Sequence, residues 1–299
     1  MHLGAVDAIG QDLTLVPAAE LRVDPLDLGL HRGYAVFDYF PVRGGEPWFL
    51  GDYLARFRRS ARASGIPLLF DDAAIAAHLW VLAEANALTY GGCKLLLTGG
   101  ASADGYTPRR PTLYTYALAK AAPDAADEPG GPPVRVNLLA HARERPAVKT
   151  TNYAAALRHQ GRQLETNAAE LVYHDGGYVT EASRSNVFAV TAQGQLWVPP
   201  TDSALAGVTR HHVVVAARKG GLTVLERSLP LKDLLAAPEV FITSSSRGVH
   251  AVGRIEDTLV GDGGVGEVTR RAADLFLARA TERRGWRLAS LPAGRQSLR

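Results

Sequence analysis

The sequence predicts an α+β protein of two domains, and three observations carry that expectation. Short strand-like runs are separated by Gly, Pro, Asn and Asp turns, and they do not alternate with helices as βαβ units require. The chain has 299 residues, beyond the usual single-domain size, so two domains sharing a cleft are expected. A stretch rich in Pro, Gly, Ala and Asp, AKAAPDAADEPGGPP (119–133), then breaks the periodic pattern. It reads as a linker between a small N-terminal domain, 1–118, and a larger C-terminal domain, 134–299.

In the first part, YAVFDYFPVR (34–43) and EPWFL (46–50) read as two strands around Gly44-Gly45, a hairpin signal. DYLARFRRSARASG (52–65) is a helix with Asp52 as N-cap and Gly65 as its stop. AAIAAHLWVLAEAN (73–86) is a second helix, and KLLLTGG (94–100) and TLYTYALA (112–119) are strands. Beyond the linker, VRVNLLAH (134–141) is a strand and AALRHQGRQLETNA (155–168) has helical spacing. ELVYHD, GYVT, SNVFAVT and QLWVPP form a run of short strands. RHHVVVAARKGG (210–221) is a helix ending at glycine, EVFITS (239–244) a strand, and VTRRAADLFLARATERRG (268–285) the last helix.

Composition narrows the function classes. A hydrophobic content of 46% with 21% charged residues is that of a soluble globular protein. The net charge is only +3 and arginines are scattered among acids, which is not a nucleic-acid footprint. The lone Cys93 rules out an intrachain disulfide and a multi-Cys metal site, and its apolar neighbours Leu95 and Leu96 suggest a buried thiol. Neither a secretion signal nor a membrane-spanning run is indicated, so the expected location is the cytoplasm.

Two patterns are decoys. Gly261 to Gly266 satisfies G-x-G-x-x-G, but its lead-in RIEDTLV is no buried strand and no crossover follows, so a loop capping the last helix is the better reading. Adjacent helical residues His211 and His212 point to different faces and make a poor metal pair, and no metal site is expected.

A spaced set of motifs carries more chemistry. PAVKTTNY (146–153) puts a lysine after a strand, before small polar residues and a helix start. TEASRSNVFAV (180–190) puts a glutamate and an arginine in a tight turn before a buried strand. Alone, each has a bland explanation, since lysines at strand ends and acids in turns are usually solvated. Together with AGVTR (206–210), FITSSSRGVHAVG (241–253) and HRGYAVFDYF near the front, their order resembles class IV pyridoxal-phosphate (PLP) aminotransferases over nearly the whole chain.

That resemblance implies fold type IV, with a small α+β N-terminal domain, a larger barrel-like C-terminal domain and PLP between them. It also implies a homodimer whose active sites borrow residues from the partner. Lys149 is implied as the catalytic lysine that holds PLP as a Schiff base, a role lysine fills because its deprotonated amine is nucleophilic and carries protons. Glu181 is implied as the carboxylate that keeps the pyridine nitrogen protonated. Arg56, Val208, Thr209 and Ser245 match the phosphate site, where cations, helix-start amides and hydroxyls suit an anion. Tyr153 falls where some relatives place a tyrosine near the cofactor phenolate, and Asn186 reads as a turn-stabilising residue.

Substrate recognition departs from the familiar subgroups. Many D-amino-acid enzymes of the family carry an Arg-x-His pair where this chain has Gly99 and Gly100, and branched-chain enzymes have Phe-Glu-Gly where it has Phe37-Asp38-Tyr39. Arg184 and Arg32 are the expected clamps for a substrate carboxylate, with Tyr34 assisting, because a planar guanidinium binds a carboxylate through two hydrogen bonds. The competing reading makes Arg184 a structural ion pair and Arg32 a solvent-facing charge. The expected function is transamination between a D-amino acid and 2-oxoglutarate. The alternatives are an L-branched-chain aminotransferase, an aminodeoxychorismate lyase, and a non-enzymatic PLP carrier, which the joint presence of Lys149, Glu181 and Arg56 disfavours.

Overall fold

Strand β3 (Ala35–Arg43) alternates between a buried and an open face, with Val36, Asp38 and Phe40 inward and Phe37 and Tyr39 half-buried on the other side. In this computed structural model, which describes residues 2–7, 13–120 and 130–286, with side chains from 13 onward, that face organises the first of two compact units. The unit spans Met1–Ala122, Val148–Asn152 and Arg283–Arg299. The expected linker, 119–133, lies outside the described residues over 121–129.

The first unit is one antiparallel sheet in the order β2-β1-β6-β5-β3-β4, made of β1 (His2–Asp7), β2 (Thr14–Pro17), β3, β4 (Glu46–Pro47), β5 (Tyr90–Thr98) and β6 (Thr112–Ala119). The short helix α1 (Leu28–Arg32) precedes β3. Helix α2 (Leu50–Ala63) buries Leu50, Tyr53, Leu54, Phe57 and Ala61, the i, i+3, i+4, i+7 stripe of a helix facing a core. Helix α3 (Asp72–Ala85) buries Ile75, Leu79 and Leu82.

The expected Asp52 N-cap does not hold. The helix starts two residues earlier, at Leu50, because Phe49 takes a left-handed conformation (φ 55°) that turns the chain directly from β4 into α2. Asp52 sits in the first turn instead, where a carboxylate suits the helix dipole. Likewise β5 extends back to Tyr90, through two glycines that carried no strand signal.

His78 on α3 is buried and shares a 2.7 Å hydrogen bond with Thr115 on β6. Burial pushes its pKa down to about 4, from the 6.5 of an unfolded imidazole. A folded pKa below the unfolded one means that the unfolded chain takes up the proton first, so stability falls as pH drops from 6.5 towards 4, by up to about 3 kcal/mol. The unfolding temperature of the intact protein is expected to decline over that window. That of His78→Gln is expected to decline less, and parallel profiles would contradict the assignment. Cys93 on β5 is buried, and its thiol is pushed up to about 12 by burial.

The second unit spans Pro123–Ala147 and Tyr153–Glu282. Its half-barrel sheet of ten strands runs β12-β11-β10-β14-β15-β7-β8-β9-β13, with β16 pairing β15. In chain order the elements are β7 (Val134–Ala140), α4 (Ala154–Arg158), α5 (Gln160–Thr166), β8 (Ala168–Asp175), β9 (Tyr178–Ala182), β10 (Asn186–Val190) and β11 (Leu196–Val198). There follow α6 (Val208–Lys219), β12 (Val224–Glu226), β13 (Leu229–Pro230), α7 (Leu231–Leu235), β14 (Glu239–Ser244), β15 (Gly248–Ile255), β16 (Thr258–Leu259) and α8 (Glu267–Glu282).

The single helix expected over 155–168 is two short ones broken at His159, and their crossover makes β7 and β8 parallel neighbours. Val136, Val172, Val187, Leu229, Leu234, Val240 and Ile242 form the sheet-centred core, and Phe188 stacks on Phe241 with centroids 4.6 Å apart. The glycine-rich decoy is a loop before α8. That helix is capped by Glu239, whose carboxylate accepts from the Val268 and Thr269 amides at 3.2 and 2.8 Å. His212 accepts from Arg279 at 2.8 Å, which explains its burial without a metal. Among the described residues, no helix is long and apolar enough to cross a membrane and no group of side chains is placed to hold a metal ion.

Candidate active site

In the first unit, Lys149 lies on a short extended segment that pairs beside β3. The Phe37 amide donates to the Lys149 carbonyl at 3.0 Å, and Val36 bridges Thr150. Its own amide donates to Ser60 Oγ on α2 at 3.2 Å. Backbone bonds to two elements therefore fix the lysine, while Nζ projects over the Phe37 ring, 4.7 Å from its centroid.

Lys94 of β5, which sequence reasoning did not single out, places its own Nζ 4.7 Å from the same ring and 5.6 Å from that of Tyr116. Phe37 and Tyr39 lie on the half-buried face of β3, and Lys94 pairs with Tyr39 across the ladder. That face is thus lined with aromatic rings and carries two ammonium groups.

Arg56 stands one turn before Ser60 on α2 and is only 4% exposed. Asp38 grips it through two hydrogen bonds, Nε to Oδ2 at 2.9 Å and Nη2 to Oδ1 at 2.6 Å. The unusual Phe37-Asp38-Tyr39 sequence is accounted for physically, since its middle residue is the buried carboxylate that orients Arg56. Gly99 and Gly100 are equally constrained. A Cβ on Gly99 would lie 2.5 Å from the Tyr34 ring, and Gly100 has φ +72° with a Cβ position 1.4 Å from the Arg110 carbonyl. No arginine fits at either position.

Two expected substrate ligands need correction. Tyr34 donates its hydroxyl proton to the Ser64 carbonyl at 2.8 Å and packs its ring on Gly99, so it serves the fold. Arg184, in the second unit, is held by Glu170, with Nε 3.3 Å from its carboxylate, and by the Ala169 carbonyl at 2.9 Å. Glu170 also accepts from the Arg184 amide, Ser183 Oγ and Ser185 Oγ, so this arginine completes a structural turn. Arg32 is exposed at the end of α1, with Nε donating to the Gly105 carbonyl at 3.1 Å.

Glu181 lies near the end of β9. Glu181 is 4% exposed; one oxygen takes Arg143 Nη1 at 2.9 Å and the other the Leu205 amide at 3.0 Å. Arg143 carried no sequence signal, lying 38 residues away in a run of charges, HARER, that reads as solvated. Tyr153 and Tyr173 belong to the same cluster. Burial is the largest cause raising both phenols, Tyr173 to about 12, with Arg143 acting against it. Both are neutral across the physiological range.

Val208 and Thr209 open α6, whose N-cap is Gly207 without a side-chain cap. Its first amides point out of the helix without intrahelical acceptors, the arrangement that attracts an anion. A Cβ on Gly207 would meet Asn186 Oδ1 at 2.0 Å, and Asn186 donates to the Leu205 carbonyl at 2.8 Å, so Asn186 holds this helix start. Ser245 lies in the turn joining β14 to β15.

Residues 35–255 match the model of the class IV amino-transferase family. A D-alanine aminotransferase of Bacillus licheniformis is 29% identical over 263 residues, 86% of this chain and 91% of the relative. The branched-chain amino acid aminotransferase of Escherichia coli superposes with a TM-score of 0.82 at 22% identity, covering 94% and 95% of the two chains. A fold IV transaminase from Curtobacterium pusillum gives 0.76 at 21% identity, covering 93% and 99%.

Proposed function

Because the chain belongs to the class IV aminotransferases, which are PLP enzymes, we propose that it moves the amino group of a D-amino acid to 2-oxoglutarate, with Lys149 as the catalytic amine. The likeness to a D-alanine aminotransferase over 91% of that enzyme supports the donor class. PLP, when bound, supplies an aldehyde that takes the amino group and a ring that accepts the electron pair released at the substrate Cα.

The residues present suit that cofactor. Each Glu181 oxygen carries one partner and has a second lone pair with which to accept a pyridine N–H, while Arg143 and Leu205 hold the carboxylate still. The uncapped start of α6, with Thr209, and the hydroxyl of Ser245 suit the phosphate, as does the oriented guanidinium of Arg56. Tyr153, a neutral phenol, could donate a hydrogen bond to the cofactor's phenolate oxygen. Lys149 would be the amine that holds the cofactor and that moves the proton at the substrate Cα.

For the substrate, Lys94 replaces Arg184 as the carboxylate partner, since it is the second cation on the aromatic face that carries Lys149. Arg32 remains the exposed cation that a partner subunit would use in a homodimer. Lys94→Gln is expected to raise KM for 2-oxoglutarate about tenfold or more, the cost of one charge-assisted bond, with a smaller change in kcat. An unchanged KM would remove Lys94 from the site.

The donor class is tested by half-reactions of the PLP form with single amino acids, followed at the absorption band of the bound cofactor near about 410–420 nm. Loss of the band with D-alanine or D-glutamate but not L-leucine is expected. The reverse order would make the protein an L-branched-chain enzyme.

A further inference from the structure

The second unit holds another concave feature, built from residues that amino transfer does not use. A cleft of about 740 Å3 is lined by Arg135 at the start of β7, Arg247 in the turn before β15, Arg254 towards the end of β15, and backbone around Ala168 and Gly253. Among the described residues, no acidic residue lines it. Beside it, the exposed Asp257 carboxylate pairs with Arg135 at 2.9 Å, and its carbonyl accepts from Arg254 Nη1 at 2.6 Å. Three guanidinium groups thus answer to one carboxylate, leaving about two positive charges.

Two further observations mark the cleft as built for a ligand. Among the described residues, the buried Arg247 Nη1 and Arg135 Nε have no hydrogen-bond acceptor, a costly state for charged donors, although the other Arg135 nitrogens bond Thr166 and Asp257. The ladders are also irregular at the cleft wall, with register shifts between Val252 and Arg254 and between Arg135 and Val136. Such bulges redirect side chains, and they occur preferentially at rims and beside sites. At Gly253 a Cβ would sit 2.5 Å from the Gly263 carbonyl, so bare backbone forms the floor.

We infer that this cleft binds a small phosphorylated anion, a phosphate ester or free phosphate, through the guanidinium groups of Arg247, Arg254 and Arg135. Planar forks match phosphate oxygens, and two unbalanced charges match a dianion. The volume exceeds that of a bare ion and lies in the range of small-molecule sites, leaving room for an organic group. None of Lys149, Arg56, Glu181, Thr209 and Ser245 lines the cleft, and Arg247 follows Ser245 by two residues in the turn between β14 and β15.

Equilibrium dialysis of radiolabelled inorganic phosphate and glycerol 3-phosphate against the PLP-loaded protein, at ionic strength fixed with chloride, tests this. Saturable binding of one anion per chain is expected. Arg247→Gln and Arg254→Gln should each weaken it about tenfold or more while keeping wild-type PLP content and unfolding temperature. PLP content read separately keeps a failure of this site distinct from a failure of the cofactor reading. If Arg247→Gln does not fold, Arg254→Gln, whose guanidinium binds a surface carbonyl, carries the test alone. Tighter binding of glycerol 3-phosphate identifies an ester, and tighter binding of phosphate identifies the free ion. Absence of saturable binding, binding unchanged in the variants, or equal competition by glutarate would overturn the inference.

Discussion

Lys149→Ala is expected to fold, to lose the absorption band near about 410–420 nm and to fall about 10,000-fold or more in transamination. Folding should survive because the segment is held by backbone bonds to Phe37 and Ser60, which alanine retains. Activity should not, because one amine provides both the attachment and the moving proton. Lys94, over the same Phe37 ring, cannot substitute without leaving its position on β5. A variant keeping more than about one-hundredth of the activity would move the catalytic role elsewhere.

The second large effect is expected at Glu181. Glu181→Gln keeps a hydrogen bond to the Leu205 amide but removes the charge that Arg143 and a protonated pyridine require. kcat should therefore fall about 100-fold or more while PLP still binds. Arg143→Gln acts one step further out, by loosening the carboxylate, and should cost about tenfold in kcat with KM little changed. Equal losses in kcat for the two variants would mean that the ion pair is structural and that Glu181 does not face the cofactor.

Strand positions were legible where a short β-branched or aromatic run is bounded by turn residues, as in β6 and β10, the latter buried at all five positions. They were not legible at the start of β5, where Gly91 and Gly92 carry no side chain to show it. The start of α2 was missed for a local reason, the positive φ of Phe49, which no propensity anticipates. Lys149 and Glu181 were singled out as candidates only through the order of motifs around them, since nothing local separates a catalytic lysine from a solvated one.

Arg143 and Lys94 escaped because their meaning is tertiary. One meets its carboxylate 38 residues on, and the other is defined by a ring on a neighbouring strand. Arg184 shows the opposite error: proximity in sequence to Glu181 suggested the site, while the fold assigns it to Glu170. Charge alone does not distinguish an arginine that completes a turn from one that awaits a ligand.

The sequence contains five lysines, Lys94, Lys120, Lys149, Lys219 and Lys232, so the cofactor has five side-chain amines to choose from. Borohydride treatment of the PLP-loaded protein fixes the lysine-linked cofactor covalently, and peptide mass mapping then locates it. The phosphopyridoxyl group is expected on the peptide carrying Lys149 and on no other. A label on Lys94, or none on any lysine of a protein that binds PLP, would contradict it.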